Sequence, residues 1–196
     1  EAVLCQHNLT SIDVLSALIQ EAEVLLARLS VQPPWREQVA FLIQLPGISL
    51  RTAMTIRGAI GDIQRFPSAK ALVGYAGLGT RVHDSGDRRR HGGITKQGRR
   101  ELRTALVEAA WVAVRQPGPW QRQFAQLQQR MPRPKAAVAI ARKLLVVVWH
   151  VLTARVADRQ ADELVVARSL LYWGAGYRLA TSQGLSRPEF VRQELD

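Results

Sequence analysis

The stretch HDSGDRRRHGGITKQGRR, residues 83–100, interrupts a chain that otherwise has the spacing of helices. It contains six Lys or Arg and four Gly around a single Ser. Residues 81–83 can be extended, DSGD is typical turn chemistry, and RRHGGIT can return as a second strand. The sequence therefore predicts one short β-hairpin that carries a basic cluster.

Helical spacing predominates on both sides of this hairpin. Apolar residues in 102–113 share one helical face, and Pro117 ends that helix. Residues 135–155 predict a long, largely buried helix, and VVARSLLYWG, residues 165–174, predicts a last one. Since strand signals are few, we expect a mainly α fold: a helical domain with a helix-hairpin-helix and one short β-hairpin, preceded by a coiled-coil-like arm.

The chain divides into three parts. Residues 1–34 form the arm, 35–157 the main DNA-binding domain, and 158–196 a C-terminal helix and tail. The arm is under four heptads long, so packing on the same chain and dimerisation both remain open. Its apolar seam consists of Ile12, Leu15, Ile19, Ala22, Leu26 and Leu29.

The segment LPGIS, residues 45–49, joins two helical patterns and resembles a helix-hairpin-helix turn. Gly47 would let the backbone turn tightly, so that the first amides of the next helix point at a phosphate. Ser49 stands where that motif usually has a second Gly and could instead cap the helix. An ordinary helix–helix turn explains the pattern equally well.

Positive charge is concentrated in the middle of the chain. The net charge is +11, and residues 41–160 hold 21 basic against six acidic side chains, whereas both ends are slightly acidic. This polarity favours a nucleic-acid partner over charge that merely keeps the protein in solution.

Cysteine use and the apolar runs exclude several classes of protein. Cys5 is the only cysteine, which excludes an internal disulfide and a Cys-based zinc site and fits a reducing bacterial cytosol. The apolar run 136–154 contains Arg142, Lys143 and His150, so we expect a buried helix and no membrane partner. No signal peptide is recognisable, and the chain begins with Glu1, as a fragment of a longer protein would.

Ser85 is the candidate nucleophile. A Ser hydroxyl is weakly reactive, so attack on a phosphodiester needs a dense positive field around it. His83, two residues earlier, could relay the proton, and no set of His or carboxylate ligands has the spacing of a metal site. The competing interpretation is an ordinary turn beside a solvated basic face. The predicted phosphate-binding residues are Arg81, His83, Arg88, Arg89, Arg90, Lys96, Arg99, Arg100, Arg103 and Gly47.

From QLPGISL at residue 44 to WVAV at residue 114, and again over KAAVAIARKLLVVVWHVLT, residues 135–153, the sequence resembles the C-terminal transposase domain of the insertion-sequence 110 family, which includes the 116 and 902 groups. The resemblance implies a recombinase with an N-terminal RuvC-like domain, whose four acidic residues bind a divalent metal such as Mg²⁺, followed by a coiled-coil arm. That metal-binding half lies outside these 196 residues, so we expect no cofactor in this chain and no independent activity.

The resemblance also assigns roles to this chain. The Ser of the short SG motif after the GL segment falls on Ser85 and would become linked to a DNA 5′ phosphate. A structured noncoding guide RNA and assembly into dimers or tetramers are implied as well. Ser49 in place of Gly is a departure from the hairpin motif.

Two functions follow as hypotheses. The first is a transposase part with Ser85 as covalent nucleophile. The alternative is a noncatalytic helix-hairpin-helix module that binds nucleic acid, or an inactive transposase remnant.

Overall fold

The computed structural model of this chain describes residues 1–85, 88–159, 161 and 163–195, and for residues 82–85, 88–92, 163, 165, 194 and 195 it describes the backbone alone. The helices are α1 (Ala2–Ser30), α2 (Arg36–Ile43), α3 (Leu50–Ile60), α4 (Ala69–Tyr75), α5 (Arg100–Ala113), α6 (Pro119–Gln128), α7 (Arg133–Ala154), α8 (Glu163–Gly176), α9 (Leu179–Ser182) and α10 (Arg187–Leu195). A single 3₁₀ turn spans Ile63–Arg65, and the strands are β1 (Thr80–Ser85) and β2 (Arg88–Ile94).

The predicted mainly α fold with one short β-hairpin is confirmed, since the described residues form ten helices and one two-stranded antiparallel sheet. Local sequence explains several helix boundaries. The hydroxyl of Ser49 accepts the amide of Thr52 at 3.2 Å and caps α3, and Ser68 caps α4 in the same way through Ala71. Pro119 occupies the first turn of α6, where its missing N–H costs nothing.

Helix α7 lies at the centre of the hydrophobic core. It packs against α2, α4, α5 and α6. Among the described residues it is the one helix long and apolar enough to cross a membrane, but half of its most apolar window is buried inside the protein. Its buried residues are Ala136, Ala137, Ile140, Ala141, Leu144, Leu145, Val148, Val151 and Leu152.

Only the last two turns of helix α1 pack on this core. Ala27 and Ser30 are buried against the domain, whereas every residue from 1 to 22 is exposed. At the junction, Glu23 receives a hydrogen bond from the Tyr177 hydroxyl at 3.2 Å and lies 3.8 Å from the Arg51 guanidinium. One carboxylate therefore connects the arm, α3 and the C-terminal segment.

The C-terminal segment is more ordered than the sequence suggested. The sequence predicted one helix and a tail with little signal, but α9 and α10 follow α8. Phe190 is buried, and its ring lies 3.1 Å from the point where a side chain on Gly174 would begin. Because that contact depends on residues far apart in the chain, local periodicity could not reveal it.

Candidate nucleic-acid interface

The β-hairpin has a defined antiparallel register. Ser85 ends β1 directly opposite Arg88, Asp84 pairs with Arg89, and His83 pairs with Arg90. Residues directly opposite each other in such a ladder have Cα atoms about 4.5–5.5 Å apart. The backbone of the predicted nucleophile therefore lies close to the three consecutive arginines of the opposite strand. The side chains of these residues lie outside the described part of the structure, and their roles stay predictions.

The base of the hairpin is tied to the helical core by backbone hydrogen bonds. The amide of Thr95 donates to Gly79 O at 2.8 Å, that of Lys96 to Gly77 O at 3.1 Å, and that of Arg99 to Tyr75 O at 2.9 Å. The segment that leads into β1 thus runs beside the segment that leaves β2.

Gly98 allows the closest approach between these two segments. It has a φ of +142°, and a Cβ at this position would lie 2.2 Å from Tyr75 O. No side chain fits there, so the glycine is required for the two chain segments to meet.

Two of the predicted phosphate-binding arginines hydrogen-bond within the protein. Arg103 on α5 donates from Nη1 to Ala76 O at 3.1 Å and to Lys96 O at 3.2 Å, one acceptor on each side of the hairpin base. Arg81 donates from Nη2 to Thr95 O at 3.1 Å across the strands. Both side chains therefore hold the hairpin in place. Their remaining N–H donors could still bind a ligand.

Lys96, Arg99 and Arg100 are exposed at the foot of the hairpin. Within the described residues their side chains have neither an ion pair nor a hydrogen bond. An exposed cation with free donors is what a phosphate backbone requires. These three remain the phosphate-contact candidates whose side chains can be located.

Gly47 lies in the turn between α2 and α3 with a φ of +81°. A Cβ at this position would lie 2.1 Å from Ala109 O, so the turn packs directly on the backbone of α5. Ser49 already satisfies one of the first amides of α3. Packing thus explains this glycine by itself, and its proposed phosphate contact stays a prediction.

Arg65 is a basic residue that sequence reasoning missed. Its guanidinium lies 4.6 Å from the ring centroid of Phe66 and 4.7 Å from that of Tyr75, and the residue is exposed. Phe66 is adjacent in sequence, but Tyr75 is ten residues away and arrives only through folding. The sequence carried no local signal of this arrangement.

Arg57 is a contrasting case, because its charge is directed inward. Its guanidinium lies 5.1 Å from the Trp35 ring centroid and donates to Gly61 O. Partial burial lowers the pKa of Arg57 from its ordinary value, while the charge of Asp62 acts in the opposite direction. Arg57 is thus a structural residue rather than a member of a binding surface.

Other ligand classes find less support in the part of the chain that is described. No three His, Cys, Asp or Glu side chains there lie close enough to hold a metal ion. A cleft of about 840 Å³ lies between α2 and the connection from α7 to α8, and none of its lining residues belongs to the hairpin.

Comparisons with known proteins point to a family of transposases. Residues 39–126 match the family described as Transposase IS116/IS110/IS902. The chain is 31% identical over 116 residues to the transposase for insertion sequence element IS1111A of Coxiella burnetii, covering 56% of this chain and 31% of that protein. It is 33% identical over 123 residues to the pilin gene-inverting protein of Moraxella bovis, covering 61% and 38%.

The chain thus spans about a third of the length of these relatives. The matched range contains the whole hairpin, the helix that carries Arg103 and the stacked Arg65. On this match, residues 39–126 are a domain of the IS116/IS110/IS902 transposase family.

Proposed function

We propose that this chain is the part of a DNA transposase that supplies a serine nucleophile for strand cleavage and joining. The observation that carries the proposal is the register of the hairpin, in which Ser85 ends β1 opposite Arg88. A nucleophile at a strand end, on a hairpin tied at its base to a helical core, can be presented to DNA at a constant position.

The reaction is a transesterification. The Ser85 oxygen attacks the phosphorus of a DNA phosphodiester, the bond from phosphorus to the 3′ oxygen breaks, and the protein becomes linked to the 5′ phosphate. The hydroxyl proton passes to a base, for which His83 is the candidate, and the departing 3′ oxygen takes up a proton. Attack by a different 3′ hydroxyl on the linkage reverses these steps and joins the exchanged strand.

The basic residues would hold the phosphate and stabilise the charge that builds up during attack. Arginine suits this role because its planar fork grips two phosphate oxygens at once. Arg88, Arg89 and Arg90 are proposed to act at the reacting phosphate, while Lys96, Arg99 and Arg100 contact the flanking backbone. Arg81 and Arg103 contribute by keeping the hairpin in position.

Cleavage is proposed for the complete protein rather than for this chain alone. The matched segment covers only about a third of each relative's length, and the family resemblance implies a RuvC-like domain with a divalent metal outside this chain. The steps above are written for this chain's own residues, because no three His, Cys, Asp or Glu side chains in its described part lie close enough together to hold a metal ion.

The exposed part of α1 is proposed to mediate self-association. Its outward apolar residues include Ile12, Leu15 and Ile19, each more than half exposed. A helix with such a seam buries it against a second helix in a coiled coil. A structured guide RNA is a further proposed partner, because the surplus of positive charge in residues 41–160 suits a second polyanion as well as DNA.

The decisive experiment uses the complete protein and a DNA substrate that traps covalent intermediates. Ser85→Ala should abolish protein–DNA adducts on a denaturing gel and leave DNA binding nearly unchanged. Ser16→Ala, an exposed serine of α1, is the matched control and should retain them. Persistence of adducts in Ser85→Ala would refute the assignment of the nucleophile.

A noncatalytic nucleic-acid-binding module is the second candidate. The exposed and unpaired state of Lys96, Arg99 and Arg100 favours it, because these contacts need no chemistry. On this hypothesis Ser85→Ala has no effect in any assay, whereas Arg99→Ala weakens binding and lowers its salt slope by about 1.

A further inference from the structure

Arg65 is an exposed cation that contacts two aromatic rings. Its guanidinium lies 4.6 and 4.7 Å from the centroids of these rings. The two rings lie 5.1 Å apart and are inclined by 57°, so the side chain is held by two surfaces rather than one. Cation–π contacts of this kind are attractive even at exposed positions.

Both rings are themselves anchored. The Tyr75 hydroxyl donates to Ala59 O at 3.2 Å, and the indole N–H of Trp149 donates to Phe66 O at 3.1 Å. Phe66 is also buried in the hydrophobic core. The stack thus rests on the core, and the position of the guanidinium is set before any ligand arrives.

The side chain of Arg65 is exposed. In the part of the chain that the structure describes, neither a carbonyl nor a carboxylate accepts a hydrogen bond from this guanidinium. An exposed arginine that contacts only rings retains its N–H donors for an external acceptor. A phosphate diester matches that fork in both geometry and charge.

Tyr75 connects this arginine to the hairpin. Its ring carries Arg65, while its carbonyl accepts the amide of Arg99 at 2.9 Å and contacts Gly98. Arg65 is therefore linked to the foot of the hairpin through a single residue, Tyr75, whose ring contacts the Arg65 guanidinium and whose backbone binds Arg99.

We propose that Arg65, held against the rings of Phe66 and Tyr75, is a preorganised binding site for a backbone phosphate of DNA that extends the hairpin surface onto the helical core. This inference rests on the proposed function, because the DNA must lie along the hairpin. Since the side chain is ordered beforehand, binding costs less conformational entropy than it does for a free surface arginine.

The test is the salt dependence of duplex-DNA binding by the 196-residue chain, followed by fluorescence anisotropy. Arg65→Gln should weaken binding several-fold on unrelated DNA sequences and reduce the slope of log K against log salt by about 0.9. Arg65→Lys should retain the slope but bind more weakly than the unaltered chain, because the fork is lost. Thermal unfolding of each variant checks that the domain remains folded.

Arg28→Gln, an exposed arginine of α1, is the matched control and should leave the slope unchanged. An unchanged slope for Arg65→Gln beside a reduced slope for Arg99→Gln would overturn this inference alone. Failure of the unaltered chain to bind duplex DNA at low salt would overturn the inference together with the proposed function.

Discussion

Helices α1 and α7 are the two longest of the described helices and are both rich in apolar residues, but they lie in opposite environments. Helix α7 has nine buried residues and lies at the centre of the core, whereas α1 has two, both in its last turn. The difference shows that an apolar face indicates the need for a partner without identifying it. Helix α7 finds its partner in the same chain, and α1 leaves its face open through residue 22.

The largest expected effect is on stability and concerns α7, the buried helix of this comparison. Leu144→Ala in α7 removes a fully buried side chain and should lower the free energy of unfolding by about 2–5 kcal/mol, because it leaves a cavity. Val3→Ala in α1, outside the apolar seam of that helix, is the matched control, and since Val3 is 69% exposed it should change that free energy by no more than about 0.5 kcal/mol. Urea denaturation of the two variants measures both values, and equal losses would contradict the comparison.

The exposed helix of this comparison, α1, is tested by measuring the self-association of the protein. Leu15→Asp places a charge in the seam of α1 and should shift the protein toward monomers in analytical ultracentrifugation, because a charge facing an apolar seam is costly to bury. The far-UV circular dichroism of the domain should be unchanged. Val112→Asp, an exposed apolar residue outside the arm, serves as the control. Equal association of both variants would assign the arm a different partner.

A smaller effect is expected at the base of the hairpin, where Arg103 supplies two hydrogen bonds. Arg103→Ala removes two hydrogen bonds to the hairpin base, each with a net contribution of about 0.5–1.5 kcal/mol. Hydrogen exchange of the Thr95 and Lys96 amides should accelerate while α7 stays protected. Among the described residues Arg100, on the same helix, makes no such hydrogen bond, so Arg100→Ala should leave exchange unchanged. Faster exchange in that variant as well would argue against a specific role for Arg103.

The smallest effect concerns the junction of the two regions. Partial burial first, and then the charge and hydrogen bond of Glu23, raise the pKa of Tyr177 above its ordinary value of 10.0. A raised pKa means that folding favours the protonated phenol, so this contribution is complete below pH 10 and is lost as the pH rises through the folded-state pKa. Stability should fall slightly above pH 10, and Tyr177→Phe should remove that part of the alkaline loss. Identical pH profiles would show that the contact contributes nothing.

Much of the fold could be predicted from local pattern. The apolar spacing of residues 102–113 and 135–155 matches α5 and α7, since helix period and burial are encoded residue by residue. The turn residues between two extended segments marked the hairpin. Helices α9 and α10 were missed, because their order depends on contacts such as that of Phe190 with Gly174 rather than on a strong periodic face.

The sequence located the candidate site but did not show which role each of its basic residues has. Charge density marked residues 81–103 as a polyanion surface, yet Arg103 and Arg99 look equivalent as letters. In the fold, Arg103 reaches two backbone carbonyls while Arg99 is exposed. Gly47 likewise fits a phosphate-binding turn by motif, and its close approach to Ala109 depends on the position of α5.

By itself, the sequence determined most of the helical segments, where the hairpin interrupts them and where positive charge collects, because periodicity, turn chemistry and charge are properties of neighbouring residues. The tertiary structure alone decided which arginines are engaged and which are open. It brought Tyr75 to Arg65 and placed Ala76 O and Lys96 O around Arg103. The physical reason is that hydrogen bonds and ring contacts act over a few ångströms in space, whatever the separation of the residues along the chain.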